Sequence, residues 1–245
     1  MKDNFSTQAD LYARYRPNYP DKLISDIVKL SPAYNLAWDC GTGNGQMANL
    51  LAPHFEQVIA TDISEQQLEH AQGARNITYK KEPAEATSHK TNSVDLITVA
   101  QAVHWFDFEK FYTEVNRVLR NNGILSLLGY GLFKTNSELD KPVSKFCYEV
   151  IGPYWDEERK YIDEEYANLP FPFKEIQMVN YEMIYEWSLE EMIGYFQTWS
   201  AVQHYIAAKQ ENPVEWIESE LKKLWPESAK VEVSMDVLLR VGRKE

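Results

Sequence analysis

The sequence predicts an α/β fold, a mostly parallel sheet with helices on both faces, and three observations lead there. Short apolar runs alternate with stretches of helical periodicity, a glycine loop joins the first run to the first of those stretches, and the final residues keep period two. Strand–helix–strand alternation implies right-handed crossovers and a parallel sheet, which takes its ligands beyond the carboxyl ends of its strands.

Five runs read as strands in turn: Leu36–Asp39, Gln57–Thr61, Ile77–Tyr79, Val94–Val99 and Ile124–Leu128. Gln46–Phe55 repeats apolar residues at Met47, Leu50, Leu51 and Phe55, and so reads as a helix. Phe108, Phe111, Tyr112, Val115 and Leu119 carry a second helix into the stop signal Arg120-Asn121-Asn122-Gly123. Glu175–Glu186 reads as a late strand. Val231, Val233, Met235, Val237, Leu239 and Val241 read as another, the two forming an antiparallel pair at one sheet edge. Between them Ser188–Leu224 is helical, with Pro213 at the first position of its last helix. Segments 132–174 and 188–226 are rich in aromatic residues and read as insertions that cover the ligand edge of the sheet. The core then comprises about 30–131 plus 175–245, all within one domain spanning 1–245.

Composition narrows the classes of function. The 245 residues hold 25 Lys+Arg against 37 Asp+Glu, a net charge of −12. With a pI near 5.0 the chain has no general electrostatic footprint for nucleic acid or an anionic membrane. Met1–Asn18 has no apolar core, and no apolar run approaches the ~20 residues of a membrane span, so the sequence predicts a soluble cytoplasmic protein. Cys40 and Cys147 stand far apart, and no His/Cys/Asp cluster has ligand spacing, so no metal is expected.

The strongest local signal is Asp39-Cys40-Gly41-Thr42-Gly43-Asn44-Gly45, a strand running into a glycine loop and a helix. Glycine turns sharply and lets backbone amides approach a ligand. Gly41 and Gly43 begin the dinucleotide fingerprint G-x-G-x-x-G, but its third glycine is replaced by Gln46, so a nicotinamide-dependent oxidoreductase is the weaker alternative. Asp62 closes the second strand about 20 residues after the glycines, where an acid accepts hydrogen bonds from both ribose hydroxyls of an adenosine ligand. Its competing role is to cap the helix that opens at Ser64-Glu65.

These residues resemble the class I S-adenosylmethionine-dependent methyltransferases over at least 39–129. The run Asp39-x-Gly41-x-Gly43-x-Gly45 is similar to their first motif, Asp62 to their ribose-binding acid, and Val94-Asp95-Leu96-Ile97-Thr98 with Gln101 to their fourth-strand motif. The resemblance implies a Rossmann-like three-layer sandwich, with seven strands and an antiparallel last strand, and S-adenosylmethionine as cofactor. Tyr12-Ala13-x-Tyr15-Arg16-Pro17-x-Tyr19-Pro20, His104-Trp105-Phe106 and Thr198-Trp199-Ser200-Ala201-Val202 resemble the small-molecule subgroup with the trans-aconitate and cantharidin methyltransferases of yeast. On this resemblance Tyr12, Arg16, Asp39, Gly41, Gly43, Gly45, Asp62, Ile63, Ala84, Glu85 and Gln101 border the cofactor. His104, Trp105, Tyr130 and Trp199 border the acceptor, a small molecule and plausibly a carboxylate. Pro83 replaces the acid that precedes Ala84-Glu85 in related enzymes.

Methyl transfer from a sulfonium demands an acceptor held in line behind the methyl group rather than a dedicated nucleophile, and proximity supplies ~7–11 kcal/mol of the barrier. His104 is the one candidate general base, since imidazole titrates near neutral pH. A carboxylate acceptor needs no base but does need local positive charge, for which Arg14, Lys134 and His204 are available. A protein that keeps the pocket only to regulate or scaffold is the third reading.

Overall fold

The computed structural model describes residues 14–135, 137–226 and 230–245. Tyr12 lies outside the described residues. A short helix, α1 (Asp21–Val28), leads into β1 (Leu36–Cys40), after which α2 (Gln46–Leu51), β2 (Gln57–Asp62), α3 (Glu65–Glu69) and β3 (Ile77–Lys81) follow in strict alternation. Next come β4 (Val94–Ala100), a single 3₁₀ turn at Val103–Trp105, α4 (Phe108–Val118) and β5 (Leu119–Tyr130). The aromatic segment after β5 holds α5 (Asp140–Lys145), a wider π turn at Phe146–Val150, and α6 (Lys160–Asp163). The chain closes with β6 (Lys174–Glu175), β7 (Glu182–Trp187), α7 (Leu189–Gln197), α8 (Ser200–Lys209), α9 (Val214–Leu224) and β8 (Val231–Arg243).

The strands form one eight-stranded sheet in the order β3-β2-β1-β4-β5-β8-β6, with β7 also paired to β8. The first five run parallel, and β8 is antiparallel to β5, Ser126 facing Val241. Strand order reverses between β1 and β4, so the crevice where ligands bind such sheets opens past Cys40 and Ala100. Period-two alternation sends neighbouring side chains into two separate cores. Ala37, Leu96 and Ile124 pack under α1 and α2 and with the late helices, whereas Trp38, Ile97 and Leu125 pack under α4. Each large side chain buried this way contributes roughly 1.5–3 kcal/mol. These are the three layers expected from the sequence.

Buried polar groups tie the strands together at their ends. Asp95, wholly buried on β4, accepts from the amides of Asn35 and Leu36 at 2.9 Å and pairs with Arg120 at 2.8 Å, which anchors the start of β1. The Trp38 indole donates to Thr61 Oγ1 at 2.9 Å, fixing β1 against β2.

Several boundaries differ from the sequence reading. The helix expected over Gln46–Phe55 ends at Leu51. The strand expected over Glu175–Glu186 is broken into β6 and β7. The Ile176 amide still donates to Val241 and the Val237 amide to the Tyr181 carbonyl, so the two pieces follow one edge of β8 with a loose middle over 177–180. This split is why eight strands occupy what reads as seven positions. Leu119 turns extended (ψ 136°) rather than closing α4, and β5 starts there, with a register shift opposite Val94 and Leu96 that absorbs the Asn121-Asn122-Gly123 run. Pro213 stands one residue before α9, where Asn212 Oδ1 accepts from the Val214 amide at 3.1 Å. No helix of the described residues is long and apolar enough to cross a membrane.

Candidate functional site

The glycine loop takes a shape that only its sequence permits. Gly41, Gly43 and Gly45 have φ of +70°, +55° and +87°, a region costly to residues with a Cβ. A Cβ on Gly41 would also lie 2.6 Å from the Ala102 Cβ, and one on Gly45, which begins α2, would strike the Tyr79 hydroxyl. Asp39, fully buried, supports the loop from below by accepting from the hydroxyls of Thr42 (2.5 Å) and Thr98 (3.0 Å). Burial pushes the Asp39 carboxyl up to about 6, against the pull of those two hydroxyls. The loop borders a groove of about 500 Å³, partly open to solvent, whose wall includes Asp39, Gly41, Gly43, Gln101 and Tyr130, with Pro17, Asn18 and Tyr19 on the opposite side.

At the end of β2 the Asp62 carboxylate accepts from the amides of Gly43 (2.8 Å) and Ser64 (2.9 Å). It therefore pins the glycine loop itself. Capping of α3 falls instead to Ser64, whose hydroxyl accepts from the Gln67 amide. Ile63 follows at the strand end; past β3, Ala84 is buried in the core with Trp38 and Phe106, and Glu85 Oε1 accepts from the Asp107 amide at 3.1 Å, so neither lines the groove.

Gln101 stands just past β4 with φ +54°, an uncommon conformation for a residue with a side chain. Two hydrogen bonds to β5 hold it there, its amide donating to the Leu128 carbonyl (2.8 Å) and its Nε2 to the Tyr130 carbonyl (2.9 Å). Beyond Gln101 and Tyr130 a second cavity opens, with about 620 Å³ of unfilled space partly open to solvent. Gln101 and Tyr130 line both cavities, so the two meet at that seam. The second cavity gathers Arg16, His104, Trp105 and Trp199 from the sequence-predicted residues, and adds Trp155, Asp156, Arg159 and Tyr195.

Arg16 donates to the Tyr130 hydroxyl (3.3 Å) and the Thr198 carbonyl (3.1 Å), with its guanidinium 5.4 Å from the centre of the Tyr195 ring. It stands in the wall of the second cavity rather than in the groove. His104, 7 % exposed on the 3₁₀ turn, packs against Trp105 with ring centres 4.8 Å apart, and its Nδ1 has no hydrogen-bond partner among the described residues. Burial, then the charge of Arg159, pulls its pKa down to about 3, so the imidazole is neutral at working pH. Trp199, buried, stacks on Phe146 and meets Trp155 at a tilt and Tyr195 edge-on.

With that geometry in view, residues 38–127 match the model of a methyltransferase domain. A Dictyostelium discoideum protein classed among the methyltransferases is 36% identical over 99% of this chain and 95% of its own length. The chain belongs to the class I S-adenosylmethionine-dependent methyltransferases. A solved type II methyltransferase from Anaeromyxobacter dehalogenans superposes with a TM-score of 0.85 at 34% identity, covering 94% of this chain and 98% of that one. A Saccharomyces cerevisiae protein assigned to the S-adenosylmethionine-dependent methyltransferases is 30% identical over 49% of this chain and 44% of its own length. The methyltransferase thus takes S-adenosylmethionine as its cofactor, and the nicotinamide alternative falls. The loop fits that cofactor, since its tight left-handed turn stands beside two carboxylates, Asp39 and Asp62, suited to a cationic adenosine ligand.

The cations expected to serve a carboxylate acceptor do not line the methyltransferase's second cavity. Arg14 pairs with exposed Glu190 and Lys134 with exposed Asp236, both at 3.1 Å, while His204 sits behind Asp156 at 3.7 Å. The cavity's arginines are Arg16 and Arg159. The site residues named from the sequence leave out Trp155, Asp156 and Arg159, because these lie on and between short 3₁₀ turns at 152–159, where no periodicity marks a face. The one signal available was the crowding of aromatic and charged residues in Tyr154–Tyr161.

Proposed function

We propose that this methyltransferase esterifies a small carboxylic acid. One observation carries the reading: a cavity with aromatic walls and two arginines, Arg16 and Arg159, adjoins the glycine-loop groove across Gln101 and Tyr130. In a chain of net charge −12, two arginines against the one carboxylate of Asp156 in a single cavity favour an anion.

S-adenosylmethionine supplies an activated methyl group; the chain supplies position, charge and exclusion of water. Asp62, which accepts from the Gly43 and Ser64 amides, receives the ribose hydroxyls, while the turn of the Gly41–Gly45 loop lies against the methionine end. Ile63 frames the adenine side. Gln101 and Tyr130, locked to β5, hold the seam through which acceptor and methyl group meet. Trp105, Trp155, Tyr195 and Trp199 wall the acceptor and keep water out. His104 is a poor general base, because a group with a pKa near 3 binds a proton weakly at neutral pH. A carboxylate, already anionic, needs no base, which agrees with the rest of the cavity.

The test is transfer of radiolabelled methyl groups to a panel of small acids, amines and phenols. The reading expects product from acids alone, with the label released as methanol by mild alkali, as a methyl ester requires. Alkali-stable label on an amine or phenol would contradict it.

A further inference from the structure

Arg159 is held as a charge facing the second cavity. Its guanidinium lies 4.2 Å from the centre of the Trp155 ring, its Nε donates to Asp163 Oδ1 at 3.0 Å, and the side chain is 18 % exposed. The contact with the Trp155 ring and the bond to Asp163 together hold the guanidinium in place. Nη1 and Nη2 make no hydrogen bond to a described residue, so the edge suited to gripping a carboxylate stays available. Trp155 is itself anchored, its indole donating to the Cys147 carbonyl at 2.9 Å. His104 Nδ1, more than nine-tenths buried and without a partner among the described residues, lines the same cavity and lacks a charge of its own. Asp156 lines it too, with His204 3.7 Å behind it, so the cavity is not uniformly cationic and the anion-reading element is local to Arg159.

We propose that Arg159, set by Trp155 and Asp163, is the residue that separates the acid acceptor from its methyl ester, binding the first and releasing the second. The proposal rests on the carboxylate reading above. On transfer the carboxylate oxygen's electron pair forms the new O–C bond, and the C–S bond breaks with its pair going to sulfur. An anion and a sulfonium thus become a neutral ester and a neutral thioether. Arg159 keeps its ion pair with Asp163 but loses the acceptor's negative charge in that step, while the apolar contacts with Trp155 and Trp199 are unchanged. The attraction that loads the acid therefore does not retain the product.

The experiment compares wild type with Arg159→Gln and Arg159→Lys, using an acid that wild type methylates and its synthetic methyl ester. KM for the acid, kcat, and binding of acid and ester by calorimetry with S-adenosylhomocysteine present are all measured. Arg159→Gln is expected to weaken acid binding roughly 10- to 100-fold, the range of one charge-assisted hydrogen-bonded pair, with ester binding unchanged within about twofold. Arg159→Lys, which keeps the charge without the fork, is expected to recover part of the loss. Unaltered S-adenosylhomocysteine affinity verifies the fold of each variant. Equal weakening of acid and ester would mark a merely structural role, and no weakening of either would also overturn the proposal. If wild type methylates no carboxylate at all, it is the esterification reading that has failed.

Discussion

At the scale of single residues the two carboxylates near the loop, Asp39 buried and Asp62 half-buried, do different work. Asp62 spans two backbone amides, Gly43 and Ser64, so its removal should disturb both the loop and the ribose site. Asp62→Ala is expected to weaken S-adenosylhomocysteine binding roughly 10- to 100-fold by calorimetry. The melting temperature should fall by only ~2–4 °C, the effect of about 1 kcal/mol in a chain of this size. Wild-type affinity in the variant would remove Asp62 from the ribose site. Asp39 offers a test by pH. Burial holds its carboxyl at about 6, above the ordinary 3.8, so the folded state keeps a proton that the unfolded chain releases. Its contribution to stability is therefore full below about pH 4 and declines as pH rises to about 6. Denaturant unfolding of wild type and Asp39→Asn across pH 4 to 7 should show wild type losing up to about 3 kcal/mol relative to the variant over that window. A constant difference would mean that Asp39 is ionised throughout.

At the scale of elements, α7 shows how a helix end reaches the site. Ser188 Oγ accepts from the Glu191 amide (3.2 Å) and Glu191 Oε2 accepts from the Ser188 amide (2.7 Å), a complete capping box. The helix then carries Tyr195 to the cavity wall, with Trp199 just beyond its end, and Gly194 leaves room for the Tyr15 ring that brings Arg16 into place. Ser188→Ala should cost about 1 kcal/mol and raise KM for the acceptor with little change in S-adenosylhomocysteine affinity. An acceptor KM equal to wild type would uncouple the cap from the site. Elements with strong periodicity were legible in the sequence. The five parallel strands, α4 and the period-two β8 all stand within a few residues of their expected places, because one face of each is buried in a continuous core. The broken edge strand over 175–186 was not legible as broken. Its apolar pattern runs through Ile176 and Met178, but the pairing that would hold 177–180 is lost on the outer side of β8.

At the scale of the whole molecule, the site joins parts far apart in the chain. The loop after β1, the turn after β4, the end of β5, the 152–159 turns and the ends of α7 and α8 converge on the two cavities. The half made by sheet ends was readable, because strand order alone puts Gly41 and Gln101 side by side. The aromatic insertions were readable as segments at the ligand edge but not residue by residue, since the placing of Arg159 beside His104 goes with packing of Trp155 and Tyr195 on Trp199 that leaves no periodic trace. Arg16 reads in the sequence with the cofactor residues, whereas the structure puts it in the wall of the second cavity. Gln101 and Tyr130 line both cavities, and the proposed function has cofactor and acceptor meet at that seam. The measurement that tests this most directly is a crystal structure with S-adenosylhomocysteine and a methylated acid bound together. The account expects the cofactor sulfur at that seam, with the acid carboxylate between it and the Arg159 guanidinium. A sulfur facing away from the cavity of Arg16, His104 and Arg159, or an acid bound elsewhere, would contradict it.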